Sequence, residues 1–248
     1  MNLIDRITQF HSDMRDIRRD IHAHPELGYE ETRTSELVAQ KLTEWGIPIV
    51  RGLGKTGLVG SIKVGNGSKT IGLRADMDAL PLQEYNQFGH RSTIAGKMHA
   101  CGHDGHTTML LAAAKYLAES KNFDGTVHLI FQPAEEGGGG AAAMMKDGLF
   151  EQFPCDMVFG IHNWPGGKVG RFEVGPGPMM ASSNEFEITV TGKGAHAALP
   201  HNGVDPVMVA VSIAQSLQTL ITRNKKPIDT AVLSITQIHA GDAYNIVP

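Results

Sequence analysis

The run TTMLLAAAKYLAES, Thr107–Ser120, follows TIGLRAD (Thr70–Asp76) across a long loop and precedes GTVHLIFQ (Gly125–Gln132). The middle run is rich in alanine, leucine and other strong helix formers. The outer two have the length and the apolar content of strands. A strand, a helix and a strand in this order form a βαβ unit, whose strands lie parallel in one sheet. The class that follows is α/β, and the neighbouring segments extend it.

Upstream, Leu3, Ile4, Ile7, Phe10, Met14, Ile17 and Ile21 recur at helical spacing, so one amphipathic helix is expected to open the chain. Pro25 and Gly28 end it, and a second helix is expected over 31–45, stopped by Gly46. LVGSIKV (58–64) reads as a strand, and the Asn66–Gly67 pair before Thr70 predicts a hairpin between it and the next strand. Downstream, AAAMMKDG (141–148) reads as a short helix and DMVFGIH (156–162) as another strand.

From about Ser183 the pattern changes. NEFEITVTG (184–192), VDPVMVAVSIAQSLQTLITR (204–223) and TAVLSITQI (230–238) read as strand, helix and strand, after a Gly- and Pro-rich connection beginning at Gly170. Two domains are expected, residues 1–182 and a smaller one over 183–248. The final YNIVP leaves that second sheet without closure, so the chain reads as the front part of a longer protein.

Composition narrows the function. The 41% hydrophobic content suits a chain with a buried core, and a net charge of −4 without a basic run argues against nucleic acid as partner. No apolar stretch has the length of a membrane span, and the mixed-charge N-terminus does not suit a signal peptide. Two cysteines cannot make a disulfide framework, and the reading is a cytoplasmic protein.

Twelve histidines are present, and several stand beside Cys, Asp or Glu. In MHACGHDGHTTML (98–110), Cys101 and His103 are two apart. In a loop allowed by Gly102 and Gly105 both can reach one centre, and thiolate with imidazole suits zinc and similar divalent metals. The alternative is a polar loop that caps a helix at Thr107, with Asp104 or Thr107 as the cap. FQPAEEGGGG sets Glu135 and Glu136 at the end of a predicted strand, where ligands collect in open α/β sheets. Neighbours in an extended chain face opposite ways, so one Glu can bind a metal while the other acts as general base. A solvated acidic turn is the competing reading. GIHNWP places His162 at the end of the next strand. Cys, His, Glu and His at separate element ends, with a spare Glu, describe a metal site. The rival is a nucleophilic Cys101 stabilised by the helix N-terminus, which leaves the paired glutamates unused. No GxSxG sequence supports a serine hydrolase.

HAHPELGYEE, LRADMDALP, MHACGHDGHTTMLL, FQPAEEGGGGAAAM, GIHNWP, GKGAHAALPHNGVDP and AYNIVP occur here in order. As a set they resemble the metallo-amidohydrolases of the hippurate hydrolase and N-acyl-amino-acid amidohydrolase family, which is aminoacylase-like and related to the zinc peptidases. The resemblance covers the whole chain. It implies a catalytic α/β domain with a mixed, mainly parallel sheet flanked by helices, interrupted by a smaller α+β lid through which the family dimerises.

It also implies two divalent cations, of the zinc, manganese, cobalt or nickel kind, held by Cys101, His103, Glu136 and His162, with His103 bridging. Glu135 becomes the general base, and Asp76 orients the site through hydrogen bonds. Related peptidases carry a His where this chain has Arg74, and Cys101 takes its place. His196 of the lid would support the oxyanion in a neighbouring subunit's site, and Asn245 would hold the substrate carboxylate. Asp78 and Asp104 also fall in these motifs. His22 and His24 read as ties on the first helix, His99 and His106 as supporting residues, and Cys155, His90, His128 and His201 as residues without a role in the chemistry.

The implied reaction is hydrolysis of the amide of an N-acyl amino acid. The family's chains run on and supply one more His ligand, so the sequence also allows a metal-binding but catalytically impaired fragment or pseudoenzyme that serves as a dimerising module.

Overall fold

The computed structural model describes residues 3–248. The chain folds as two compact units, one ending at Gly167 and the other spanning Lys168–Pro248.

The first unit is built on a five-stranded mixed sheet: β1 (Ile49–Leu53), β2 (Gly57–Val64), β3 (Thr70–Asp76), β4 (Gly125–Gln132) and β5 (Met157–Gly160), in spatial order β1-β2-β4-β3-β5. Strands β4, β3 and β5 run parallel, and β2 and β1 add antiparallel at one edge. Periodicity does not announce β1, because Gly52 and Arg51 interrupt its apolar run.

The expected hairpin between 58–64 and 70–76 does not form. β4 lies between the two strands, pairing antiparallel with β2 and parallel with β3. The turn around Asn66–Gly67 is instead tied to the start of β4: the Gly67 amide donates to Asp124 Oδ1 at 2.6 Å, and Thr126 N–H donates to Lys69 O at 2.9 Å. Two strands of opposite direction can both flank β4 because the connection steps across its end.

Alternation along β4 explains its central place. Val127, Leu129 and Phe131 face one core, shared with Leu58, Leu111 and Leu42, while Ile130 faces a second core with Val59, Met144 and Leu149. A strand buried on both faces needs helices on both. They are α1 (Leu3–Gln9), α2 (His11–Ala23), α3 (Thr32–Glu44) and α4 (His103–Ser120) on the first side, with α5 (Gly140–Lys146) and α6 (Leu149–Gln152) on the second. The single N-terminal helix expected from periodicity is two helices, broken where buried Phe10 leaves helical geometry at φ −111°, ψ 14°.

Helix α4 begins at His103, four residues before the expected start. Its N-cap is Gly102 in the left-handed region at φ +94°, with no side-chain cap, so neither Asp104 nor Thr107 caps it. A Cβ at Gly102 would also collide with the Asn163 side chain. The loop expected around Cys101 and His103 therefore ends at Gly102, and His103–His106 form a helical first turn.

In the second unit, the predicted strands at 184–192 and 230–238 do not form. A strand exists through its ladder, and among the described residues these runs have no pairing strand; Phe186, Ile188 and Val232 along them are exposed. The regular pairing there is a two-residue ladder of β6 (Ala195–His196) with β7 (Ile246–Val247). The long helix is as expected: α7 (Pro206–Thr219) starts with Pro206 after Asp205, whose Oδ1 accepts from Val207 N and Met208 N, and passes into a π-helical turn over Leu220–Asn224. Among the described residues, no helix is long and apolar enough to cross a membrane.

Candidate metal centre

Parallel strands deliver their C-terminal ends to the same sheet edge. Asp76 pairs with Gln132, and Arg74 with Gly160, so the segments after β3, β4 and β5 leave together. They carry Asp76 and Asp78, Glu135 and Glu136, and His162. The first turn of α4 adds His103 and His106, three apart on one helix face.

Two aspartates at i and i+2 of an extended chain point the same way. Asp78 Oδ1 lies 3.2 Å from His103 Nδ1, and its Oδ2 accepts from the Glu136 backbone N–H at 2.9 Å. One carboxylate thereby fixes the His103 ring and the backbone of the Glu pair. Asp76 Oδ1 lies 2.7 Å from His106 Nδ1, and its Oδ2 accepts from Arg74 at 2.7 Å. On the β4 side, Ala134 is held at φ +47°, a strained value for a residue with a Cβ, and its N–H donates to buried Glu31 Oε1 at 2.8 Å. That bend turns Glu135 and Glu136 toward the edge.

With Nδ1 held by Asp78, His103 Nε2 is fully buried and has no hydrogen-bond partner among the described residues. It faces Asp76 Oδ2 at 3.7 Å, Glu136 Oε1 at 3.7 Å and Glu135 Oε2 at 3.8 Å, all beyond hydrogen-bond distance. Cys101 Sγ is 3.3 Å from His162 Nε2. The ligand atoms of Cys101, His103 and His162 lie within 4.8 Å of one another, as do those of His103, Glu135 and Glu136. A third such group, Asp76, His103 and His106, has two members already engaged with each other. A buried nitrogen without a partner, ringed by carboxylates, a thiol and an imidazole, fits a divalent cation by the chemistry of its donors.

The electrostatics agree. Burial alone would raise the Asp76 carboxyl, but the His106 hydrogen bond and the charges of His103 and Arg74 hold it at about 2. Asp78 is likewise lowered against burial, chiefly by His103. Burial favours neutral His103, yet Asp78 and Asp76 outweigh it and raise its pKa. Burial, with the carboxylates of Glu136, Glu135 and Asp76, pushes the Cys101 thiol up to about 12. A nucleophilic thiol needs the opposite environment, so the helix N-terminus does not make Cys101 a free thiolate here.

Cys101, His103, Glu135, Glu136, His162 and Asp76 are thus brought together in the first unit. His196 and Asn245 belong to the second. His196 is exposed on β6, its Nδ1 accepting from Ala198 N–H at 3.1 Å, and Asn245 O accepts from Ala197 N–H at 2.9 Å. Sequence reasoning gave no role to Asp78 and overlooked Asn163. The D-x-D spacing at the strand end was the available signal for Asp78; Asn163 offered none. His24 Nδ1 lies 2.8 Å from Asp20 O at the end of α2, whereas His22 joins α2 to α4 through Asp104 at 3.0 Å and also meets Glu84. His99 is buried, and burial lowers its pKa to about 4.

Fold and site together define an α/β chain whose sheet edge gathers donor groups that fit divalent cations. The chain belongs to peptidase family M20/M25/M40, whose model matches residues 72–241. It is 52% identical to hippurate hydrolase of Campylobacter jejuni over 248 residues, covering 100% of this chain and 64% of that protein. It is 42% identical to N-acetyl-L-cysteine deacetylase of Bacillus subtilis, covering 94% of this chain and 56% of that protein. Among solved structures it is similar to the YXEP protein of Bacillus subtilis, described as a dinuclear metal binding peptidase of the M20 family, with TM-score 0.69 and 34% identity over 97% of this chain and 62% of that one. The chain therefore spans less than two thirds of the length of these relatives.

Proposed function

We propose that the protein hydrolyses the amide bond of N-acyl amino acids, releasing a carboxylic acid and a free amino acid. The observation that carries this reading is the buried, unpartnered His103 Nε2 set among Glu135, Glu136 and Asp76. The names of the hippurate hydrolase and deacetylase relatives supply the substrate class.

Cys101, His103, Glu136 and His162 would hold two divalent cations. Bound there, such ions polarise an acyl carbonyl and make water acidic enough to ionise near neutral pH. Glu135 is the least buried carboxylate of the cluster, 40% exposed, and so the one open to substrate. It takes the proton of the attacking water and delivers it to the leaving nitrogen. Asp78 keeps the Nδ1 side of His103 occupied, which turns Nε2 toward the cluster. Asp76 and Arg74 fix the strand end beneath.

In the same reading, residues 1–182 form the catalytic domain and 183–248 belong to a lid through which the protein is a homodimer. His196 supports the oxyanion from the partner's side, and Asn245 holds the substrate carboxylate. A cytoplasmic setting belongs to the same reading, supported by a sequence with only two cysteines.

The test is metal analysis together with an assay of N-benzoyl- and N-acetyl-amino acids. Glu135→Gln is expected to keep the metal and lose turnover by about 10²- to 10⁴-fold. His196→Ala is expected to lower kcat, and Asn245→Ala to raise KM. Metal without turnover in the unaltered protein, or near-full turnover in Glu135→Gln, sinks the proposal.

A further inference from the structure

We propose that His106 and Asn163 form a clasp that positions His162 in the metal centre, so that the affinity of that centre depends on an imidazole that is not itself a ligand. The inference rests on the assignment of His162 as a ligand.

Beyond ring contacts with His106 and His103, at centroid distances of 4.6 and 6.1 Å, His162 has little to hold it. It lies two residues beyond β5, an edge strand whose four residues are all exposed, and is itself exposed. Its Nδ1 is 2.7 Å from Asn163 O, a contact within its own turn, and its Nε2 points to Cys101. The next residue makes the anchor. Asn163 meets His106 Nε2 through its backbone N–H at 3.0 Å, and the end of its side-chain carboxamide lies 2.6 Å from the same nitrogen, where the amide turned to present its NH2 donates as well. His106 is 2% exposed and sits in the first turn of α4. With Nδ1–H donating to Asp76, its Nε2 is left as the acceptor that takes the Asn163 N–H. Thr107 Oγ1 donates to Asp76 O at 2.8 Å and pins the same helix turn to the end of β3. One buried ring thereby ties the ends of β3 and β5 to α4. The absence of a Cβ at Gly102 leaves the space that the Asn163 side chain occupies.

The two ring nitrogens can be separated by substitution. In His106→Asn the carboxamide falls near the place of Nδ1 and can serve Asp76 only. In His106→Gln it reaches the place of Nε2 and can serve Asn163. Cobalt(II) binding by titration calorimetry and the thiolate-to-cobalt absorption band report the centre without turnover. His106→Asn is expected to weaken cobalt binding by about 10- to 100-fold and to alter the band, the usual cost of losing a partner that orients a ligand. His106→Gln should recover most of the affinity. His106→Asn combined with His162→Ala should bind no more weakly than His162→Ala alone, because both act through the same ligand.

If His162→Ala weakens binding but His106→Asn does not, or the two losses add in full, the clasp is refuted while the ligand assignment stands. Wild-type affinity in His162→Ala refutes the assignment and the clasp with it. Should His106→Asn fail to fold, Asn163→Ala replaces it: it keeps the backbone N–H and removes only the side-chain contact, so a smaller loss that does not add to that of His162→Ala is expected, and no loss at all refutes the clasp.

Discussion

The two units spend their apolar residues differently. In the first, two cores lie on either side of β4, and all the candidate ligands but His162 lie on or beside elements that contribute to those cores. In the second, Val247 is the one buried residue among those described, and Met208, Phe186 and Val232 stand in the open. Side chains at a site can be held to fractions of an ångström only where their supports are themselves packed. Asp76, Asp78, His103 and His106 of the first unit meet that condition; His162, beyond exposed β5, does not, nor within their own unit do His196, on a two-residue ladder, and Asn245, just before its second strand.

The largest expected difference is in stability. Leu129→Ala removes a fully buried side chain at the centre of the sheet and is expected to cost about 2–5 kcal/mol. Val232→Ala alters an exposed residue and should stay within about 0.5 kcal/mol. Chemical denaturation followed by circular dichroism measures both, and equal costs would erase the contrast between the units.

A smaller effect comes from metal. Cobalt or zinc added to chelator-stripped protein should stabilise by about 2.7 kcal/mol at a hundredfold excess over Kd. The comparison sharpens this: hydrogen exchange should slow in the first turns of α4 and in the 133–140 segment, and not in α7. Uniform slowing across both units, or none, would contradict the proposed centre. Cys101→Ser with His103→Ala should abolish the effect.

Much of this contrast could be read from residues alone, and the reasons for the failures are physical. The βαβ unit at 70–132 was legible because helix and strand periods differ sharply there. The gathering of Cys101, His103, Glu136 and His162 at one sheet edge was legible because element ends are where chemistry collects. The Asn66–Gly67 hairpin failed since a turn signal is local, whereas the choice of β4 as partner for both strands is made by the two-sided core. The strands at 184–192 and 230–238 failed for the converse reason: alternation describes a strand's faces, but only a neighbouring strand completes it. Asp78 and Asn163 act through contacts 25 and 57 residues away in sequence, with His103 and His106, which no spacing rule encodes.

The smallest expected effect lies beneath the strained Ala134. Glu31 is fully buried and accepts from Thr56 Oγ1 at 2.6 Å and from Ala134 N–H at 2.8 Å. Burial raises its pKa, and those two hydrogen bonds only partly oppose the rise. A carboxyl raised in the folded state loses its proton first in the unfolded chain. Its contribution to stability is therefore fully present below the unfolded value, near 4.5, and declines as pH climbs toward the folded one. The slope for one proton cannot exceed about 1.4 kcal/mol per pH unit. Glu31→Gln keeps an oxygen for Ala134 and offers an amide N–H to the Thr56 hydroxyl, but cannot ionise. Denaturation at a series of pH values from 4 upward should show wild type losing ground against the variant as pH rises. A constant difference across the series would mean that burial does not raise the Glu31 carboxyl above its unfolded value, and that the hydrogen bonds from Thr56 and Ala134 offset the cost of burying it.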